Sequence, residues 1–103
     1  MTTIDGSTVH KVVVACDAGM GSSVMLASSV RKQLSKQGVT VEHTSVQEIP
    51  KDADVVLTHA GLANRARGVV PDVPVVAFQM FLGDPTVAKV VAAIQNGTTV
   101  DVG

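Results

Sequence analysis

Val12-Val13-Val14-Ala15-Cys16 is an unbroken apolar run, the pattern of a strand covered on both faces rather than one with a wet side. After the glycines at 19 and 21, Val24, Ala27, Val30 and Leu34 recur at helical spacing. Gly38 then follows a lysine-bearing last turn, so the spacing predicts a helix over roughly residues 22–37. Val39-Thr40-Val41-Glu42-His43 alternates as a partly exposed strand does, and Val55-Val56-Leu57-Thr58 reads as a second buried strand. Residues 44–54, between these two, hold Pro50 and little periodicity; that stretch is short for a parallel crossover, which usually takes about a dozen residues or more. Leu62, Ala63, Ala66 and Val69 predict a brief helix, and Val73 to Phe78 a last strand with Pro74 near its start. The final helix is the best marked: Asp84 caps it, Pro85 suits its first turn, Val87, Val90, Val91 and Ile94 make one apolar face, and Gly97 ends it. Residues 1–10, rich in Thr, Ser, Asp and Gly, and residues 98–103 read as flexible tails around one domain at 11–97.

Strands alternating with helices predict an α/β fold, an open, mainly parallel four-stranded sheet with helices on both faces, Rossmann-like or flavodoxin-like. Ligands of such sheets gather at the carboxyl ends of the strands, where Cys16 and His59 fall. At 103 residues and 46% hydrophobic composition the chain supports a single core. A net charge of -1 provides no field for a polyanion, and with no Trp, no Tyr and only Phe78 and Phe81, stacking surfaces for bases are missing; nucleic acid is not an expected partner. The apolar runs are far shorter than the ~20 residues that cross a bilayer, and MTTIDGSTVHK at the amino end has no basic segment followed by an apolar one. A soluble, cytoplasmic protein without direct membrane insertion is the expectation. The single cysteine cannot form an internal disulfide and is expected to be a free thiol.

The chemistry concentrates in Cys16-Asp17-Ala18-Gly19-Met20-Gly21-Ser22-Ser23, between a buried strand and a helix start. The first turn of a helix has amides without internal partners and the positive end of the dipole, so an anion is favoured there. Gly19 and Gly21 allow positive φ and close backbone approach, letting successive amides point inward, while Ser22 and Ser23 add hydroxyl donors. The same setting favours thiolate over thiol. Asp17 opposes both anions and is expected to turn toward the loop backbone. A lone cysteine ending an apolar strand is more often a small buried hydrophobe; the glycines, serines and strand-to-helix context point to function instead. Other phosphate motifs fail on spelling. No lysine occurs between Lys11 and Lys32 for a nucleotide P-loop, and only two of the three glycines of the dinucleotide fingerprint are present. Ser22 stands where a cysteine phosphatase has its arginine clamp.

Val13-Val14-Ala15-Cys16-Asp17-Ala18-Gly19-Met20-Gly21-Ser22-Ser23 resembles the phosphocysteine loop of IIB components of the bacterial phosphotransferase system, most closely the mannitol-type branch. The resemblance extends through Asp54-Val55-Val56-Leu57-Thr58-His59 and Arg65-Ala66, and more loosely through Phe81-Leu82. Val24 and Leu26 depart from the Ala and Gly that the branch usually carries there. The resemblance implies a phosphatase-like phosphate loop and a relay, in which a phosphohistidine on a IIA protein or domain donates to Cys16 and Cys16 phosphorylates a sugar held by a membrane IIC permease. It implies no cofactor and no metal, and a monomer held at the inner membrane only through IIC. His59 and Arg65 are candidate auxiliary residues, for the phosphate or for a partner. His10 and His43 lack companions at metal-ligand spacing and are expected on the surface. Met20, Met80 and Phe81 offer a small apolar rim to a docking protein. Two alternatives stay open on the residues: a non-catalytic anion- or nucleotide-binding module with Cys16 as packing, and a cysteine-dependent phosphatase-like hydrolase. The carrier reading expects a sulfur open to solvent beside inward-pointing amides.

Overall fold

Among the described residues the valine run becomes the second of six strands: Thr2–Asp5 (β1), Lys11–Cys16 (β2), Thr40–Ser45 (β3), Val55–His59 (β4), Val75–Phe78 (β5) and Thr99–Val102 (β6). The α-helices Gly21–Gln33 (α1), Ala63–Val69 (α2) and Pro85–Asn96 (α3) accompany them. The computed structural model describes residues 2–16, 21–80 and 84–102. Four strands form the expected parallel sheet, in the order β3-β2-β4-β5. Because side chains alternate along a strand, Val12 and Val14 enter a core with Leu26, Ala27 and Val30 of α1 and Val87, Val90, Val91 and Ile94 of α3. Val13 and Ala15 enter a second core with Val46, Ile49 and, from α2, Ala63 and Ala66. The helices therefore lie on both faces, which is why β2 and β4 need apolar residues at consecutive positions.

Local boundaries follow from backbone chemistry. The helix predicted to residue 37 stops at Gln33; Leu34 leaves helical geometry, a 3-10 turn covers Ser35–Gln37, and Gly38 takes φ 69°, a left-handed value that glycine adopts without steric cost. The α1 end is also held from α3, where Gln95 Nε2 donates to the Gln33 carbonyl at 2.9 Å. β5 begins at Val75 rather than Val73. Pro74 has no amide to give to a ladder, although its carbonyl accepts from Val56 N at 2.9 Å.

The connection from β3 to β4 crosses over β2 without a helix. A strand of this length runs back about 17 Å and two strand spacings add about 10 Å sideways, a combined distance of about 20 Å, which the nine residues 46–54 can cover even with one turn rising only about 2 Å per residue. One 3-10 turn, Val46–Glu48, suffices. Val46, Ile49 and Ala53 are buried beneath the sheet, so the crossover itself builds part of the second core.

Where tails are expected at 1–10 and 98–103, the chain forms a two-stranded antiparallel ribbon of β1 and β6, with Ile4 opposite Val100. Ile4 is 2% exposed and joins the first core, with Val100 packed against it. The polar composition is on the outer side of the ribbon, where Thr3 Oγ1 donates to Asp101 Oδ1 at 2.6 Å.

Asp84 holds the start of α3. Its Oδ1 accepts from Thr86 N at 2.8 Å and Val87 N at 3.4 Å, and its Oδ2 accepts from Gln79 N at 2.8 Å and Met80 N at 3.1 Å. Burial alone would raise this carboxyl, but the four amides outweigh it and hold it below the usual carboxylate range. A carboxyl lowered on folding stabilises the fold above its unfolded value and loses that contribution as pH falls through the folded one. Asp84→Asn is expected to lower stability by about 1–2 kcal/mol at neutral pH. The gap between variant and wild type in urea melts should narrow once pH drops below about 4. A gap that stays constant through that range would show that the charge contributes nothing.

Candidate functional site

The parallel sheet ends at Cys16 on β2, flanked in register by Ser45 on β3. Just before it, the buried hydroxyl of Thr58 on β4 donates to the Ala15 carbonyl at 2.9 Å, tying β2 to β4 at the carboxyl edge. Val12, Val14 and Cys16 alternate onto one face, the side that carries α1 and α3. On the neighbouring strand Val41, in the same core, and His43 share that face, and His43 pairs in register with Val14. His43 is thus the diagonal neighbour of Cys16, within reach of an imidazole, and Cys16 Sγ lies 3.1 Å from His43 Nε2.

This contact departs from two expectations. His43 is exposed, as expected, yet it is not an isolated surface residue. Cys16 as a whole is only 4% exposed, less open than expected, and its sulfur lies against the ring of an exposed histidine. The pairing depends on strand register. The usable signal was that Cys16 and His43 each end an apolar-face alternation on strands that become neighbours. Chemically, a thiol against an imidazole nitrogen can exchange a proton, giving a sulfur anion paired with a cation.

Asp17, Ala18, Gly19 and Met20 lie outside the described residues. Gly21, Ser22 and Ser23 form the first turn of α1, which has no acidic side chain there and has Arg31 and Lys32 in its last turn; both features suit the helix dipole. The amino end of α1, on the same side of the sheet as Cys16, is where a bound anion would meet first-turn amides. His59 closes β4, level with Phe78 on β5, with the rings edge to face, 6.1 Å apart. Its Nδ1 accepts from Gly61 N at 3.2 Å, so the ring shapes the turn into α2 and the neutral form carries its proton on Nε2. Arg65 is exposed in the first turn of α2, the helix on the opposite face. Met80 is exposed after β5, and Phe81 lies outside the described residues. Among the described residues no group of three or more His, Cys, Asp or Glu is placed to hold a metal ion, and no helix is long and apolar enough to cross a membrane.

Residues 11–93 match the family model described as "PTS system, Lactose/Cellobiose specific IIB subunit". Among similar proteins, the mannitol-specific cryptic EIICB component of the Escherichia coli phosphotransferase system is 43% identical over 77% of this chain and 17% of its own length. The mannitol-specific EIICB component of Geobacillus stearothermophilus is 38% identical over 85% of this chain and 19% of its own. A mannitol-specific EIICBA component from Vibrio cholerae is 42% identical over 77% of this chain and 12% of its own. The chain thus spans less than a fifth of the length of these relatives.

Proposed function

We propose, from the premise that this chain belongs to the IIB subunit family of the phosphotransferase system, that it carries phosphoryl groups with Cys16 as the accepting nucleophile. The observation that supports this most is the position of Cys16, which closes a central strand at the carboxyl edge of the parallel sheet, on the face of the helix that follows it. In the accepting step the sulfur anion attacks phosphorus of a phosphohistidine on a IIA donor. An S–P bond forms, the N–P bond breaks, and the donor imidazole keeps the electron pair. In the passing step a sugar hydroxyl held by a IIC permease attacks phosphorus, an O–P bond forms, the S–P bond breaks toward sulfur, and the hydroxyl proton leaves to a base on the acceptor side. Amides from residues 17–23 stabilise the charge on the transferring group, and partner docking places donor and acceptor in line. Ser22, in place of an arginine clamp, leaves water poorly activated, so the phosphocysteine persists until an acceptor arrives. His59 and Arg65 assist at the edge, toward the phosphate or a partner. By analogy with relatives named as mannitol-specific EIICB and EIICBA components, the donor in this reading is a IIA unit, the acceptor side a IIC unit, and the sugar mannitol or a related sugar alcohol. The chain works as a monomer in the cytoplasm, at the inner membrane only through IIC.

The 4% exposure of Cys16 is low for a nucleophile that must meet a partner's phosphohistidine. It favours a second reading, an anion-binding module in which Cys16 is packing. One reconstitution separates them. Incubated with phosphoenolpyruvate, the general phosphotransferase proteins and a IIA partner, the chain should gain one phosphoryl group, located on Cys16 by peptide mass spectrometry and discharged by IIC with mannitol. No labelling with any IIA partner supports the binding module, and steady release of phosphate from an aryl phosphate supports a hydrolase.

A further inference from the structure

We propose that His43 is the proton acceptor for the Cys16 thiol, so that the carrier works from a thiolate–imidazolium pair built across β2 and β3. The 3.1 Å separation of Sγ and Nε2 is set by the sheet. Parallel register places His43 opposite Val14, two residues before the partner of Cys16, with both side chains on the α1 face. A sulfur anion on a residue 4% exposed is poorly solvated and needs a cation at contact distance. His43, exposed to water, can carry that charge and exchange its proton with solvent.

Among the described residues, the charged groups on β2, on α1 and in the turn after β3 are engaged elsewhere or belong to the solvent surface. On β2, Lys11 is at the far end of the strand, where Nζ pairs with Glu42 of β3 at 2.9 Å and with Asp52 at 3.1 Å. On α1, Arg31 Nη2 donates to the Val41 carbonyl at 2.9 Å, and Lys32 is exposed. Glu48, in the turn after β3, is exposed as well. None of these supplies or removes a proton at the sulfur.

This role rests on the carrier reading for its purpose. The S–H bond breaks, the proton moves to Nε2, and the sulfur electron pair becomes available to phosphorus. The imidazolium keeps that proton while the S–P bond exists, its N–H turned to a phosphoryl oxygen, and pairs again with the sulfur when the group leaves. No proton is gained or lost at the pair over a full cycle.

The test reads protonation directly and needs no partner protein. With one Cys, no Tyr and no Trp in the chain, the ultraviolet thiolate band is unobstructed, with Cys16→Ser as the blank. Wild type should show the band at about pH 7, while His43→Gln, which keeps a polar group at that place but cannot take the proton, should develop it only toward about pH 9. Iodoacetamide should label wild type about tenfold faster than His43→Gln at about pH 7, the two rates converging at high pH. Should His43→Gln fail to fold, nitrogen NMR of the imidazole decides, because His43 should hold its proton to higher pH in wild type than in Cys16→Ser. Equal bands in wild type and His43→Gln at neutral pH, no band in wild type, or equal His43 titrations would overturn the proposal. If the pair is found but the relay leaves Cys16 unlabelled, the carrier reading fails and the pair stands.

Discussion

Cys16→Ser is expected to lose phosphoryl transfer by at least about a thousandfold in initial rate, with the fold intact. Serine keeps the shape of the site but loses the nucleophile, because its hydroxyl stays neutral at working pH where a paired thiol ionises. Even a His43-assisted serine attack would end in a phosphoserine, whose oxygen leaves far less readily than sulfur, so the passing step fails as well. Stability should move by no more than about 1 kcal/mol, since the serine hydroxyl can donate to His43 Nε2 in place of the thiol. Transfer of labelled phosphate, followed alongside thermal melts, separates the two effects. Label found on the serine variant at any position other than 16 would mean that another residue is the nucleophile. A variant that transfers nothing because it has unfolded would show instead that Cys16 is a packing residue.

What could be read in the sequence, and what could not, follows from the range of the interactions involved. β2 was legible because both of its faces are covered, which demands apolar residues at every position. α3 was legible because its stop and start signals are local: Asp84 caps, Pro85 opens, and Gly97 closes at φ 66°. The β3–β4 crossover is short for the expectation because that expectation assumes an α-helix, whereas this chain returns through one 3-10 turn, Val46–Glu48, and an irregular stretch that buries Ile49 and Ala53. The β1–β6 ribbon left almost no pattern. One inward residue, Ile4, gives no periodicity, and its partners are at the other end of the chain, as the hydrogen bond from Thr3 to Asp101 illustrates. The same reason hid the partnership of His43. The strand and its alternation were visible, but its neighbour and register are set by tertiary packing, and a one-residue slip would have turned the imidazole to the other face.

Gly6 gives that ribbon its most demanding test. In the 3-10 turn Gly6–Thr8 that follows β1 it is buried, and its amide donates to the Thr98 carbonyl at 2.8 Å. A Cβ there would come within 2.1 Å of the Ala93 carbonyl oxygen, 2.3 Å of its carbon and 2.7 Å of Ile94 N. All three are backbone atoms of α3, so no side-chain rotation relieves the overlap; either the turn or the helix must move. Gly6→Ala is therefore expected to destabilise by about 3 kcal/mol or more, at the upper end for an overpacked site, which corresponds to a melting temperature roughly 12–24 °C lower in a domain of this size. Gly38→Ala is the control, since a Cβ at Gly38 meets nothing within 4 Å. Its φ of 69° leaves only backbone strain, about 1 kcal/mol. The contrast isolates packing from conformational preference. If residues 1–10 were the loose tail that their composition suggests, Gly6→Ala would leave the melt unchanged while Gly38→Ala still lowered it, and the docking of the ribbon on α3 would be refuted.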